Sequence, residues 1–210
     1  KRQTLYIAEG WDGSKIYKVE PNGSVSVFAT GLNGPIDIIK RSTGYFYVSE
    51  WNQSRISQIS QLGVVSPYST VSPGPGPMAL DSLENIYVTH NLGNGSGVVT
   101  KIDLGGVASI LASGSLLVNP GGITLDNEEN VFIANFNNGN IIKIDSAKMM
   151  SLFTTIPTSG TWKTGHLKYR DSCFYVSSLS GQKIFKISSL GIVSTYAGTG
   201  IAGHYNSAAS

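Results

Sequence analysis

The chain alternates short apolar, β-branched runs with polar turns, and this alternation returns at a nearly constant interval. Each return contains an aromatic residue flanked by Val, Ile or Leu, at Tyr6, Tyr47, Tyr87, Phe132 and Tyr175, with successive spacings of 41, 40, 45 and 43 residues. Alternation with a period of two residues indicates strands, and apolar residues at helical spacing are absent from the sequence. The pattern therefore predicts an all-β protein built from five repeats.

Each repeat continues with a second strand in which Lys or another polar residue alternates with Ile or Val, at 15–20, 55–60, 98–103, 141–145 and 183–188. Gly residues then predict a tight turn in four repeats, whereas the fourth repeat has Ala147-Lys148 at this place. A third strand follows, and a short strand after Gly or Pro precedes the next aromatic segment, at 35–40, 77–81, 121–126 and 165–169. Each repeat is thus predicted to have four antiparallel strands.

A four-stranded antiparallel unit repeated every 40 to 45 residues is typical of a β-propeller. We expect one domain over 1–210, with blades at approximately 1–34, 35–75, 76–119, 120–163 and 164–196 and a tail loop at 197–210. The first blade lacks a segment for its innermost strand. The ring is therefore predicted to have five or six blades, with self-association or an additional blade from outside this sequence supplying what is missing.

The order of Gly or Pro, short strand, polar turn, aromatic-Val/Ile strand, Ile-x-Lys-Ile and Gly-x-Val resembles NHL repeats across nearly the whole chain. The segment 195–210 is similar to the loop that, in that family, leads into a further inner strand. The resemblance implies a propeller, usually of six blades. In blade architecture the chain is also similar to the senescence-marker-protein (SMP-30)/gluconolactonase and streptogramin-lyase propellers.

Composition narrows the functional classes. Only 13% of the residues are charged, the net charge is +2, and the basic residues are scattered, so we expect no nucleic-acid partner. No stretch of about 18 apolar residues exists to predict a membrane span. The single Cys173 lies in an apolar run and is predicted to be a buried thiol. The chain opens directly at a strand without Met, which favours a secreted, periplasmic or cell-surface protein whose signal peptide has been removed.

In an antiparallel blade, the start of the inner strand and the end of the next strand lie at the same end, so these positions converge on one central face. That face is the candidate ligand-binding site, formed by Glu9, Trp11, Asp37, Glu50, Trp51, His90, Asn135, Trp162 and His166. An alternative holds for Glu9, Glu50 and Asn135, whose side chains would bind turn backbone instead.

Asp37 and His166 occupy equivalent inner-strand positions and are the candidate ligands for a divalent cation, Ca, Mg or Zn. The gluconolactonase resemblance implies carboxylate and amide ligands at inner-strand starts, and here only Asp37 corresponds to them. The streptogramin-lyase resemblance implies His residues on the central face.

These observations lead to two functional hypotheses. The first is a non-enzymatic binding or scaffold propeller that recognises a protein or glycan partner through its central face. The alternative is a metal-dependent hydrolase, lactonase or lyase with Asp37 and His166 around a divalent cation and Glu9 or Glu50 as a candidate further ligand. The two hypotheses differ in whether these candidate ligand side chains converge on one point.

Overall fold

The computed structural model describes residues 3–203, which form nineteen strands in five sheets and one short 3-10 turn at Trp51–Gln53. Blade one contains β1 (Leu5–Ala8), β2 (Lys15–Val19) and β3 (Val25–Thr30); blade two contains β4 (Pro35–Lys40), β5 (Phe46–Glu50), β6 (Arg55–Ile59) and β7 (Val65–Thr70). Blade three contains β8 (Pro75–Leu80), β9 (Ile86–Asn91), β10 (Ser96–Ile102) and β11 (Ala108–Val118). Blade four contains β12 (Pro120–Leu125), β13 (Val131–Asn135), β14 (Asn140–Ile144) and β15 (Met150–Thr155), and blade five contains β16 (Leu167–Arg170), β17 (Cys173–Ser178), β18 (Lys183–Ser188) and β19 (Val193–Ala197).

Strands that follow one another in a blade pair antiparallel, and the inner strands β4, β8, β12 and β16 pack against one another in chain order. The prediction of an all-β propeller with four-stranded antiparallel blades is confirmed for blades two to five, and blade one has three strands among the described residues. The predicted tail loop continues to residue 210, and its part at 204–210 lies outside the described residues. No described helix is long and apolar enough to cross a membrane.

The apolar cores lie between neighbouring blades. We call the side of a blade that meets the next blade its leading face, and the opposite side its trailing face. The leading face carries the repeated aromatic residue, and the trailing face of the next blade carries Ile, Val or Phe, so that four buried clusters join the five blades in order. Burial of both faces is what makes a short, twisted sheet stable.

The turns between the second and outer strands require a left-handed backbone conformation, which Gly adopts without a steric penalty. Gly23, Gly63, Gly106 and Gly191 have φ between 80° and 89°. In blade four this position is Lys148, with φ 63°, so the same turn forms there without glycine. The Cys173 side chain, predicted to be buried, is half-buried and forms no disulfide.

Candidate functional site

A cavity of about 240 Å³ opens on the central face, where the inner strands begin. Its floor is formed by the first residues of β8 and β12, among them Gly76, Pro77, Pro120 and Gly121. These residues bring almost no side chain into the cavity, so the centre of the face is a depression. Gly122 allows the inner strands of blades four and five to approach closely, because a Cβ at this position would lie 2.4 Å from the Leu167 backbone nitrogen.

Two tryptophan rings from neighbouring blades form one wall of the cavity. Trp11 and Trp51 are stacked with centroids 5.1 Å apart and planes 8° from parallel, and Trp11 is 61% exposed. The side-chain amide of Asn52 holds the pair together. It donates hydrogen bonds to the Trp11 backbone carbonyl and to the Asn33 side-chain oxygen, each at 3.0 Å. Offset stacking of two anchored rings presents a rigid apolar surface.

Aromatic side chains also come from blade four and the loop that follows it. Phe136 lines the cavity directly after β13, and the Trp162 ring lies 6.0 Å from the Phe136 ring. The Lys163 amide donates a hydrogen bond of 2.8 Å to the Phe136 carbonyl, which fixes the loop beside β13. All three tryptophans of the sequence therefore lie on or beside the central face.

Equivalent positions at the end of β5, one residue before the end of β9 and at the end of β13 are occupied by Glu50, His90 and Asn135, and all three are fully buried. Glu50 accepts a hydrogen bond of 2.7 Å from the Asn33 amide in the loop that leads into its own blade. It also forms an ion pair with Arg55 at 2.8 Å and accepts a hydrogen bond from Ser57. The Glu50 carboxylate thus holds a connecting loop and does not line the cavity.

Asn135 has the same arrangement in blade four. Its side-chain amide donates to the Leu116 carbonyl at 2.7 Å, and its side-chain oxygen accepts from the Val118 amide at 3.2 Å. These contacts fix the end of β11, the strand that leads into blade four. Glu50 and Asn135 therefore both bind backbone groups of connecting segments, as in the alternative given for them from the sequence.

His90 takes this position in blade three but forms weaker contacts. The Ser72 and Pro73 carbonyls face the ring, yet neither imidazole nitrogen has a partner at hydrogen-bonding geometry. Burial lowers the pKa of His90 to about 4, and the two carbonyls oppose that shift only in part. His90 is therefore neutral near pH 7, and it lies beneath the face instead of on it.

Glu9 directly follows β1 at the corresponding position of blade one, where no described loop leads into the blade, and its side chain is exposed. The carboxylate accepts hydrogen bonds from the Ser14 amide at 2.8 Å and the Tyr17 hydroxyl at 3.0 Å. The Ser14 hydrogen bond is the largest of the effects that lower the pKa of Glu9. Glu9 therefore stabilises its own hairpin.

Asp37 and His166 lie close enough to interact electrostatically, but they are engaged differently. Both Asp37 oxygens accept backbone hydrogen bonds, one from Ile38 at 2.8 Å and one from Met78 of blade three at 2.7 Å. Burial raises the pKa of Asp37, while the Met78 amide and the nearby His166 imidazole oppose that rise. His166 is exposed and lines the cavity.

A cation would need at least one more ligand beside Asp37 and His166. Within residues 3–203, no His, Cys, Asp or Glu side chain joins them to make a group of three. Because both Asp37 oxygens already bind backbone amides, the residues present are a poor fit for a divalent cation.

The structure brings together Trp11, Trp51 and His166 of the predicted face at the cavity, with Trp162 beside it. Asn91 and Asn119 also line the cavity and were not singled out from the sequence. The sequence signal for these two residues is their position, because Asn91 is the last residue of β9 and Asn119 directly precedes β12. The Asn91 side-chain oxygen accepts a hydrogen bond from Gly93, so this amide is partly used within the protein.

No protein-family profile and no curated protein matches the sequence. Solved structures do match the fold. Virginiamycin B lyase from Staphylococcus aureus superimposes with a TM-score of 0.76 at 21% identity, covering 92% of this chain and 66% of the lyase. A streptogramin B lyase structure gives a TM-score of 0.73 at 19% identity, covering 92% of this chain and 64% of that chain.

A nidogen/laminin complex contains a further similar chain, with a TM-score of 0.77 at 13% identity, covering 93% of this chain and 76% of that one. The chain thus spans slightly less than two thirds of the length of the two lyases. These identities establish a shared propeller fold and nothing finer. The resemblances to NHL repeats and to the gluconolactonase propellers stay predictions.

Proposed function

We propose that this protein is a non-enzymatic recognition propeller that binds a protein partner through the aromatic cavity of its central face. The observation that carries the proposal is the stacked pair of Trp11 and Trp51, which Asn52 holds in place and in which Trp11 is exposed to solvent. Tryptophans in preformed depressions are the typical anchors of protein interfaces.

The polar residues of the face support the same function because most of them are already engaged. Glu50 and Asn135 hold loops, His90 is buried and neutral, and Asp37 accepts two backbone hydrogen bonds. A catalytic site would need titratable groups free to exchange protons with a substrate. On this face the accessible groups are mainly aromatic rings, which suit recognition.

A protein partner fits the cavity better than a glycan. Its lining offers Trp, Phe, Ile, Pro and Gly, and its polar side chains are limited to Asn91, Asn119 and His166. Sugar hydroxyls need several hydrogen-bond partners, whereas an apolar side chain from a protein fills such a depression directly. One similar propeller was solved in a nidogen/laminin protein complex.

A hydrolase or lyase is the second candidate, and one observation favours it: the exposed His166 lines the cavity and lies close enough to Asp37 to influence its pKa. Turnover of chromogenic esters or lactones, with and without added Ca, Mg or Zn, would test this reading. Activity that is lost in His166→Ala, with unfolding unchanged, would replace the recognition proposal.

Selection of binders from a random peptide display library tests the leading proposal, with a glycan array probed in parallel. We expect peptides with apolar or aromatic anchors, whose affinity falls by about tenfold or more in Trp11→Ala and in Trp51→Ala. Leu190→Ala is the control, since Leu190 is exposed in a blade-five turn far from the tryptophan pair in sequence.

Gly121→Ala gives an independent test because it narrows the cavity without removing a ring. A Cβ at Gly121 would lie at ordinary contact distances of 3.5 to 3.8 Å, so the fold should accept it. We expect weaker peptide binding and an unchanged melting temperature. Binding that survives all three substitutions, or enrichment on the glycan array alone, would contradict a protein partner at this cavity.

A further inference from the structure

The contact between neighbouring blades repeats a defined arrangement of aromatic rings. On the leading face, the repeated aromatic ring and a ring from the outer strand meet edge to face, and we call this pair the socket. Four sockets occur among the described residues, at Tyr6–Phe28 (4.8 Å), Tyr47–Tyr68 (4.7 Å), Phe132–Phe153 (5.0 Å) and Tyr175–Tyr196 (4.9 Å).

The residue that enters a socket comes from the next blade, immediately before that blade's own repeated aromatic, and we call it the plug. Phe46 packs into the blade-one socket, with centroids 4.4 and 5.2 Å from its two rings. Phe174 packs into the blade-four socket, with centroids 4.3 and 5.5 Å from its two rings. The plugs of blades two to five are all buried, at Phe46, Ile86, Val131 and Phe174.

Within residues 3–203, the socket of blade five has no plug. Its outer ring, Tyr196, is 61% exposed, and Tyr175 is only half-buried, whereas Tyr47, Tyr87 and Phe132 are buried under the following blade. An edge-to-face tyrosine pair that lies open at the end of the blade series is a preformed apolar surface.

Blade one carries the matching free plug. Leu5 takes the plug position and is 57% exposed, and Ile7, two residues on, is 49% exposed. Their counterparts in blades two to five are buried. The strand register extends this surface across the trailing face of blade one in two rows, Leu5–Val19–Val25 and Ile7–Tyr17–Val27.

We propose that a second copy of this chain covers these faces, with the blade-five socket of one copy receiving the blade-one plug of another. The choice of occupant follows from the internal contacts: the sockets of blades one, two and four each receive the plug of the following blade, and Tyr87 of blade three packs with the plug Val131. Among the described residues, this chain has one free socket, in blade five, and one free plug, in blade one. The contact is head-to-tail, so copies can associate into a closed ring or a longer chain.

Sedimentation velocity over a concentration series, on the full chain, tests the proposal. We expect the average mass of the wild-type protein to rise above that of one chain as concentration increases. Leu5→Glu and Tyr196→Glu each place a charge on an exposed part of the contact and should raise the apparent dissociation constant by about tenfold or more. Leu62→Glu, at a 90% exposed turn residue of blade two, should associate like the wild type.

A mixture of the two variants provides the decisive measurement. The Leu5→Glu chain keeps its socket and the Tyr196→Glu chain keeps its plug, so an equimolar mixture should form dimers and nothing larger. Unchanged melting temperatures would show that each variant remains folded. A wild-type chain that stays monomeric at every concentration, variants that associate normally, or a mixture that stays monomeric while the wild type associates would each overturn the proposal.

Discussion

Blades two to four are covered on both faces, whereas blades one and five are covered on one face only among the described residues. The same sequence position therefore has two environments: Tyr87 is 6% exposed in blade three, and Tyr175 is half-buried in blade five. Likewise Glu50 is fully buried and paired in blade two, while Glu9 is exposed in blade one.

The repeat pattern thus encodes the blade, while contact with a neighbouring blade or loop determines which of its side chains are buried. A Tyr at the repeated aromatic position contributes to stability mainly when a following blade removes it from water. A carboxylate at the end of the strand with the repeated aromatic is buried and holds backbone groups only when a connecting loop lies over it. Substitutions at equivalent positions should consequently have unequal effects.

The largest effect is expected at the repeated aromatic. Tyr87→Asp should lower the free energy of unfolding by about 3–5 kcal/mol, because it removes a buried ring and places a carboxylate beside Asp81. The matched Tyr175→Asp should cost less than about 1.5 kcal/mol in dilute solution, since that ring is partly in water. Urea unfolding measures both, and equal losses would refute the comparison.

The buried carboxylate comes next. Glu50→Ala leaves the Asn33 amide and the Arg55 guanidinium without their partner, and we expect a loss of about 3 kcal/mol in unfolding free energy. Glu9→Ala should cost much less than Glu50→Ala, because the hydrogen bonds from Ser14 and Tyr17 that it removes go to a solvent-exposed carboxylate. Denaturant titration of both variants checks the difference; a Glu50→Ala protein as stable as Glu9→Ala would show that the loop is held by other contacts.

A smaller effect should follow pH through His90. Its pKa falls from 6.5 in the unfolded chain to about 4 in the folded protein, so below pH 6.5 the unfolded state takes up a proton that the folded state does not. Stability should fall as pH drops from 6.5 toward 4, by about 2 kcal/mol at pH 5 relative to pH 7.5. Unfolding measured at both pH values supplies the test.

His90→Asn is the control for that pH dependence. Asn135 shows that an asparagine at this position can hold a loop in blade four, so the variant should fold and lack the His90 contribution. The difference between wild type and variant across pH isolates one group from the other titrating residues. A wild-type protein whose stability changes with pH no more than that of the variant would rule out a buried neutral His90.

Much of the fold was readable from the sequence because strand alternation and turn glycines recur with each blade. The predicted inner strand at 35–40 matches β4 (Pro35–Lys40), and the one predicted at 165–169 overlaps β16, which begins at Leu167, directly after His166. Blade four shows the limit of turn signals, because Lys148 adopts the left-handed conformation that glycine normally signals.

The site was less readable, since it depends on distances between blades. Sequence position placed Glu9, Glu50 and His90 together, but only the loops decide which of them is buried. The stacking of Trp11 on Trp51 joins two blades through Asn52, and no local pattern predicts it. Tertiary packing, rather than residue type, separates the structural residues from the free ones.

Intrinsic tryptophan emission tests the central claim most directly, because Trp11, Trp51 and Trp162 are the only tryptophans of the sequence and all lie on or beside the central face. The measurement is a titration with a library-selected peptide that lacks tryptophan, comparing emission with affinity measured independently. We expect the tryptophan emission to shift saturably, with a midpoint at the peptide concentration that half-saturates binding. A peptide that binds at full occupancy without changing the emission would contradict recognition through this face.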